Sequence, residues 1–320
     1  MKFKEFKAHS DIAYSVSFSP DGKLLATASR KENEAFLWKL SGEKIAEFKG
    51  HADIINRVSF SPNGQFIATA SFDKTSRLWN LSGKMVAELK GHENRVNDVN
   101  FSPNSDLIAT ASSDNTVRLW NLSGQEIRKL TGGVHSIFSV NFRPGSQQLV
   151  TGGGDGKVRF WNLSGEQLSE LKVSPYLVVS TTFSPDGKLL ATAENNNMIR
   201  LFDLSGTKTT NEFDLLTDRT VNFIRNPQIV ESVSFSPNGK IVATSGIDNT
   251  IKLWNLNGRQ VEEFKLGQNN SKLKTRDGID NRPRNDINWI SFSPDGKMLA
   301  AACNDGMIRL FVVDNPIRFS

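Results

Sequence analysis

His51, Ser71 and Asp73 bring together the groups of an acyl-transfer centre: a hydroxyl nucleophile, an imidazole base and a carboxylate to orient it. Trp79 follows six residues after the aspartate, and the same four residue types return at the same spacings as His92, Ser112, Asp114 and Trp120. Catalysis by such a set needs one strained assembly with its own oxyanion site. A copy 41 residues further on therefore points to a structural use of the same polar chemistry. The four histidines, His9, His51, His92 and His135, and the single cysteine, Cys303, occur one at a time, with no pair at ligand spacing, so no metal site is expected. Gly152-Gly153-Gly154-Asp155-Gly156 lacks a following Lys-Ser/Thr and opens no helix, so it reads as a turn and not a phosphate loop. No cofactor and no enzymatic activity are expected.

The elements that position these groups repeat with them. A Phe-x-Pro landmark falls at Phe18, Phe60, Phe101, Phe142, Phe183, Phe235 and Phe292, with successive differences of 42, 41, 41, 41, 52 and 57 residues. A closing aromatic keeps the same period at Trp38, Trp79, Trp120, Trp161, Phe202, Trp254 and Phe311. Within the unit that starts at Gly50, four short β-branched and aromatic runs (55–60, 66–71, 76–79 and 85–89) are separated by clusters of Gly, Pro, Asn, Asp and Ser. That is the grammar of an antiparallel meander. One such sheet cannot cover both of its faces. Small residues such as Ala68, Ala70, Ala109 and Ala111 suit close sheet-on-sheet contact, and radial packing of seven sheets buries every face. The expected fold class is all-β, a seven-bladed β-propeller of four-stranded antiparallel blades.

Gly50-His51, Ser71-x-Asp73 and Leu78-Trp79, at these offsets, resemble the WD-repeat signature over the whole chain, with Trp-Asn here where that family often has Trp-Asp. The near-identity of neighbouring units is similar to bacterial WD-repeat segments, which often sit inside larger signalling proteins. The resemblance implies that His51, Ser71, Asp73 and Trp79, and likewise His92, Ser112, Asp114 and Trp120, form a buried hydrogen-bond network within each blade. Only the second and third units carry the whole set. The first keeps His9, Ser29 and Trp38 and has lost the aspartate; the fourth has Asp155 with Gly153 at the serine position and His135 out of register. The sixth keeps Asp248 and Trp254, the seventh has Cys303, Asp305 and Phe311, and the fifth departs furthest with Glu194, Asn196 and Phe202. Stability is expected to be greatest at units two and three.

The chain has 320 residues, 39 Lys and Arg against 34 acids, and a net charge of +5, which is mildly basic and does not by itself indicate nucleic acid. A single cysteine fits a reducing compartment. The N-terminus has no apolar core of a signal peptide and no run is long enough to span a membrane, so a cytoplasmic monomer is expected. Units are expected at about 9–49, 50–90, 91–131, 132–172, 173–216, 226–265 and 286–313, the last completed by residues 2–7. Residues 2–7 (KFKEFK) match the outermost strand of other units, and the seventh unit stops after three strands, so the N-terminal strand is expected to pair into the last blade and close the ring.

Insert loops are expected at 214–226 and 265–286, and unit one carries one extra residue within Arg30–Glu34. All three excesses are expected at one end of the sheets, leaving the other end uniform. Loops that decorate one face of a rigid scaffold usually carry function. The family resemblance places exposed residues of that face three and five positions after the landmark histidine and just before the turn aspartate. In register these are Ile12, Tyr14, Ile54, Asn56, Phe72, Arg95, Asn97, Ser136, Phe138, Leu177, Val179, Asn195, Ile229, Glu231, Ile247, Asp286 and Asn288. Their apolar members would form a collar at the channel mouth, or turn inward and pack its wall. The expected function is a non-catalytic interaction scaffold that binds a protein or peptide partner there. The alternative is a nucleic acid or other acidic partner on Lys265–Arg284, where six basic residues face two acids; it holds no aromatic for base stacking, so nucleic acid is disfavoured and a solvated loop is expected.

Overall fold

The computed structural model describes residues 3–133, 135–205, 220–225, 230–266, 272–275, 278–283 and 286–313. Its regular structure is entirely strand, arranged as seven four-stranded antiparallel sheets and one two-stranded hairpin. In the second blade the strands are Ile55–Phe60, Phe66–Ser71, Thr75–Asn80 and Met85–Lys90, ordered from the inside of the ring outward. Glycines at positive φ make the turns between strands. Gly83, at φ 87°, lies against the preceding blade so closely that a Cβ there would come within 2.6 Å of the Glu47 carbonyl oxygen.

The core lies between blades. Ala26, Ala28, Leu37 and Phe48 of the first blade pack on Ile55, Val58, Phe60 and Trp79 of the second, all buried, and Ala68, Ala70, Leu78 and Leu89 of the second pack likewise on Val96, Phe101 and Trp120 of the third. Small residues on one sheet admit large ones from the next, which lets two pleated sheets approach closely.

Ring closure is as the repeat count requires. Phe3–Lys7 pairs antiparallel with Met307–Val312, in the register Phe3↔Phe311 to Lys7↔Met307. The Phe3 and Phe311 rings meet at 5.4 Å with their planes tilted by 35°, Arg309 Nε donates to Glu5 at 2.8 Å, and Ile308 and Leu310 pack against Val16, Leu25 and Trp38 of the first blade. The seventh blade is thus built from both ends of the described chain.

Two expectations about the inserts need correction. The outer strand of the fifth blade is Thr220–Arg225, inside the segment 214–226 expected as a loop, and it pairs with Met198–Asp203. The excess length therefore falls between the third and fourth strands, at the end of the blade opposite the other two additions. A length difference between landmarks does not reveal on which side of an intervening strand the added residues lie. The second expectation concerns 265–286: instead of an unstructured loop, Lys272–Thr275 pairs with Gly278–Pro283 as a hairpin. The side chains of Lys272, Lys274, Arg276, Arg282 and Arg284, on which the acidic-partner alternative rests, lie outside the described residues.

Candidate partner-binding site at the channel mouth

The polar groups that suggested catalysis sit inside the blades. His51 Nδ1 lies 2.7 Å from Asp73 Oδ2, and its Nε2 lies 2.8 Å from Thr69 Oγ1, which also accepts the indole N–H of Trp79 at 2.9 Å. Ser71 stands on a separate arm, donating to the Asp53 carbonyl and accepting from Asp73 N. The third blade repeats this with His92, Asp114, Thr110, Trp120 and Ser112. The serine hydroxyl makes no bond to the imidazole, so no nucleophile–base pair exists in either set. The bridging threonine, two residues before the serine, is the member that the spacing argument missed.

The carboxylate absent from the first blade is present after all. Glu32, in the loop lengthened by one residue, reaches His9 Nδ1 at 2.7 Å, while Thr27 links His9 to Trp38. Where no histidine is available, a basic residue seventeen positions after the landmark phenylalanine takes over. Arg159 pairs with Asp155, Lys252 with Asp248 and Arg309 with Asp305, and in the fifth blade Arg200 pairs with Glu194. With a histidine on the aspartate, Arg77 and Arg118 turn instead to Glu88 and Glu126.

The inner strands build something different at the mouth. Every blade shifts register between its first and second strands, and the skipped residues are Tyr14, Asn56, Asn97, Phe138, Val179, Glu231 and Asn288. Each is a β-bulge residue, and a bulge re-aims a side chain that regular alternation would direct elsewhere. All seven line one cavity of about 290 Å³, with Phe72, Arg57 and Trp289 completing the wall. Three of the ring residues tie neighbouring blades together: Asn56 Nδ2 donates to the Asn97 carbonyl at 2.6 Å, Asn97 Nδ2 to the Ile137 carbonyl at 2.8 Å, and Asn288 Nδ2 to the Ala13 carbonyl at 2.8 Å.

The remaining face residues are not gathered by this cavity. Ile54, Leu177, Ile247 and Ser136 are half-buried and Asn195 is exposed, all off its wall. Arg95 is exposed and holds its guanidinium over the Phe72 ring at 4.6 Å. Ile12 and Asp286, expected on the exposed face, are 1% and 2% exposed. They occupy the loop before the bulge, where Ile12 O accepts Arg30 N and Asp286 O accepts Asn304 N. Ile229 lies outside the described residues.

Below the bulge ring, the position three before each landmark phenylalanine is Ser15, Ser139, Ser180 or Ser232 in four blades, and Arg57, Asp98 or Trp289 in the other three. The serines leave room for the larger three to cross the channel. Arg57 Nε donates to Asp98 Oδ1 at 2.9 Å, and its guanidinium carbon lies 3.2 Å from the centre of the Trp289 ring. Asp98 also accepts from Val99 N and Val140 N, each at 2.9 Å. Burial depresses the Arg57 pKa and raises that of Asp98; guanidinium basicity and three donated bonds keep the pair ionised. This plug separates the mouth cavity from a deeper one of about 170 Å³, and Arg57 and Trp289 line both. Neither residue was singled out from the sequence, although three large side chains on an otherwise serine-bearing ring position were visible there.

Among the described residues no cluster of metal-ligating side chains occurs, and no helix is long and apolar enough to cross a membrane.

Two family models match. The IFT122 first beta-propeller model aligns with residues 2–211 and, in an overlapping register, with 73–276, and the WD domain, G-beta repeat model aligns with 279–311. The chain is 30% identical over 108 residues to WD repeat-containing protein slr1409 of Synechocystis sp., covering 26% of this chain and 33% of that protein. It is 33% identical over 105 residues to WD repeat-containing protein 91 homolog of Dictyostelium discoideum, covering 30% of this chain and 12% of that protein. The chain thus spans a third or less of the length of these curated relatives. With seven meander blades, a His–Thr–Trp relay in three of them, and a propeller model matched over most of its length, this chain belongs to the WD-repeat β-propeller family.

Proposed function

We propose that this propeller is a non-catalytic interaction scaffold that seats a protein or peptide segment in its channel mouth. WD-repeat propellers generally act as protein-interaction scaffolds and are typically non-catalytic. The observation that carries the assignment to this surface is the bulge ring: all seven blades contribute one side chain to a single cavity rimmed by Tyr14, Phe72, Phe138 and Val179. Aromatic anchors in a concave site are the usual source of affinity, with polar side chains setting orientation. Asn56, Asn97, Asn288 and Glu231 would supply that orientation. A single cysteine, Cys303, leaves no internal disulfide to form, which supports residence in a reducing, cytoplasmic compartment.

The test is partner capture from a lysate of the source organism by the wild type and by a Phe72→Asp/Phe138→Asp variant, with hydrogen exchange on the captured complex. Loss of capture by the variant, together with slowed exchange in the inner strands around the mouth, is expected. Equal capture by both proteins would remove the mouth as the binding surface.

A further inference from the structure

Arg57 is held as a receptor is held. Its side chain is 9% exposed, Nε is committed to Asp98, and one face of the guanidinium lies on Trp289. The two Nη groups make no hydrogen bond among the described residues, and neither is sealed from solvent. A guanidinium fixed in orientation, with its N–H fork turned to the cavity and open to water, can exchange that water for a planar acceptor without reorganising. Around it, Asn56, Asn97 and Asn288 each donate Nδ2 to a backbone carbonyl of the next blade, Asn97 and Asn288 donating also to Ser113 Oγ and Asn304 Oδ1, while their Oδ1 atoms are the acceptors they bring to the same cavity. The site thus offers donors at its floor, acceptors at its sides and apolar walls.

That pattern selects among ligands. A cation would find Trp289 already carrying Arg57 and Phe72 carrying Arg95, and on Tyr14 or Phe138 it would share the cavity with the Arg57 guanidinium. A phosphate dianion would meet Glu231 on the wall and Asp98 behind the arginine. A planar monoanion meets the same two carboxylates with half the charge, matches the N–H fork in shape, and brings a backbone N–H and an apolar side chain close behind it. Arg57 and Trp289 stand between this cavity and the deeper one, and a volume of about 290 Å³ suits a chain end better than a segment threaded through the channel.

We propose that the mouth captures the free C-terminal carboxylate of a peptide, with the Arg57 Nη fork on the carboxylate, the asparagine Oδ1 atoms on the last backbone N–H groups, and the final side chain against Tyr14, Phe138 and Val179. This assignment rests on the mouth being the partner site and names what that site reads.

The experiment uses two pools of random heptapeptides, identical except for a free or an amidated carboxyl end, passed over the immobilised protein. At least tenfold preferential capture from the free-carboxylate pool is expected. It should disappear in Arg57→Met/Asp98→Asn, which removes both charges so that none is left stranded and whose folding is checked by its melting curve. Wild-type capture that is equal from the two pools, or absent from both, overturns the carboxylate assignment, as does selection of internal Asp or Glu from the amidated pool. Phe72→Asp/Phe138→Asp tells this failure from that of the broader reading. Equal capture lost in that variant leaves the mouth as the site, whereas equal capture that survives it removes the mouth as well.

Discussion

Thr69 shows how one hydroxyl can hold two strands and two rings. It accepts from Trp79 Nε1, so its own proton is free for His51 Nε2 at 2.8 Å, and the Arg77 carbonyl is a poorer acceptor at 3.5 Å. This assigns His51 as the neutral tautomer with its proton on Nδ1, facing Asp73. Burial lowers the pKa of His51, and of His9 in the equivalent place, below 6.5. Replacing Thr69 with the isosteric Val leaves the imidazole and the indole without their partner, and about 2–4 kcal/mol of stability should be lost in urea unfolding. The pH dependence follows from the same residues. A histidine held neutral in the fold takes up its proton first in the unfolded chain, so stability should fall as pH drops below about 6.5. Glu32 adds a second phase. Burial acts to raise it, but bonds from His9 and Ser10 outweigh that and hold it at about 2, below its ordinary 4.5. Its contribution is complete above pH 4.5 and is lost between there and pH 2. Urea midpoints measured at pH 7, 5 and 3 should decline throughout, and Glu32→Gln should flatten only the acidic part.

At the scale of a blade, a carboxylate in the turn between second and third strands recurs in six of the seven blades, the fifth having Asn196 there and Glu194 at the strand end, and its partner varies. In the third blade Asp114 serves His92, Thr116 and the Glu93 N–H together, so Asp114→Ala strands several groups and should cost a few kcal/mol. In the fourth blade Asp155→Ala leaves Arg159 with Glu170 at 2.9 Å and should cost less. Equal losses on chemical denaturation would argue against that difference in partners. The blades that lack the histidine therefore need not be the weak ones, because Arg159, Lys252 and Arg309 supply a charge where His51 and His92 supply a hydrogen bond. The inner-strand bulge is the other blade-level device. It is one residue long, recurs in every blade, and converts a strand position into a mouth position.

For the whole molecule, closure through Phe3–Lys7 is decisive, since without it the edge of Met307–Val312 is bare and the first and last blades lose Phe3, Phe6 and Glu5 as contacts. Removing residues 1–8 should lower the melting temperature sharply and produce association visible in size-exclusion chromatography. A monomer with unchanged melting would show that the interface between the first and seventh blades suffices by itself. Across the ring, the mouth cavity takes Arg57 and Trp289 from blades two and seven, 232 positions apart in the chain, and Asp98 of the third blade holds Arg57 in place.

Much of this was legible in the residues themselves. The period of Phe18, Phe60 and Phe101 and of Trp38, Trp79 and Trp120 determined the blade, the number of blades and the closing strand, because hydrophobic alternation and turn chemistry act over a few neighbours and repeat wherever the residues repeat. The family resemblance, applied in that register, pointed to Tyr14, Asn56, Phe138 and Asn288. The tertiary structure alone decided that Ile12 and Asp286 turn away, that Glu32 replaces a missing aspartate, that the fifth-blade insertion precedes Thr220, and that Arg57 meets Asp98 and Trp289 across the channel. Those outcomes depend on bulges and on contacts between distant blades, where space and charge are set by side chains far away in the chain and no local pattern carries the information.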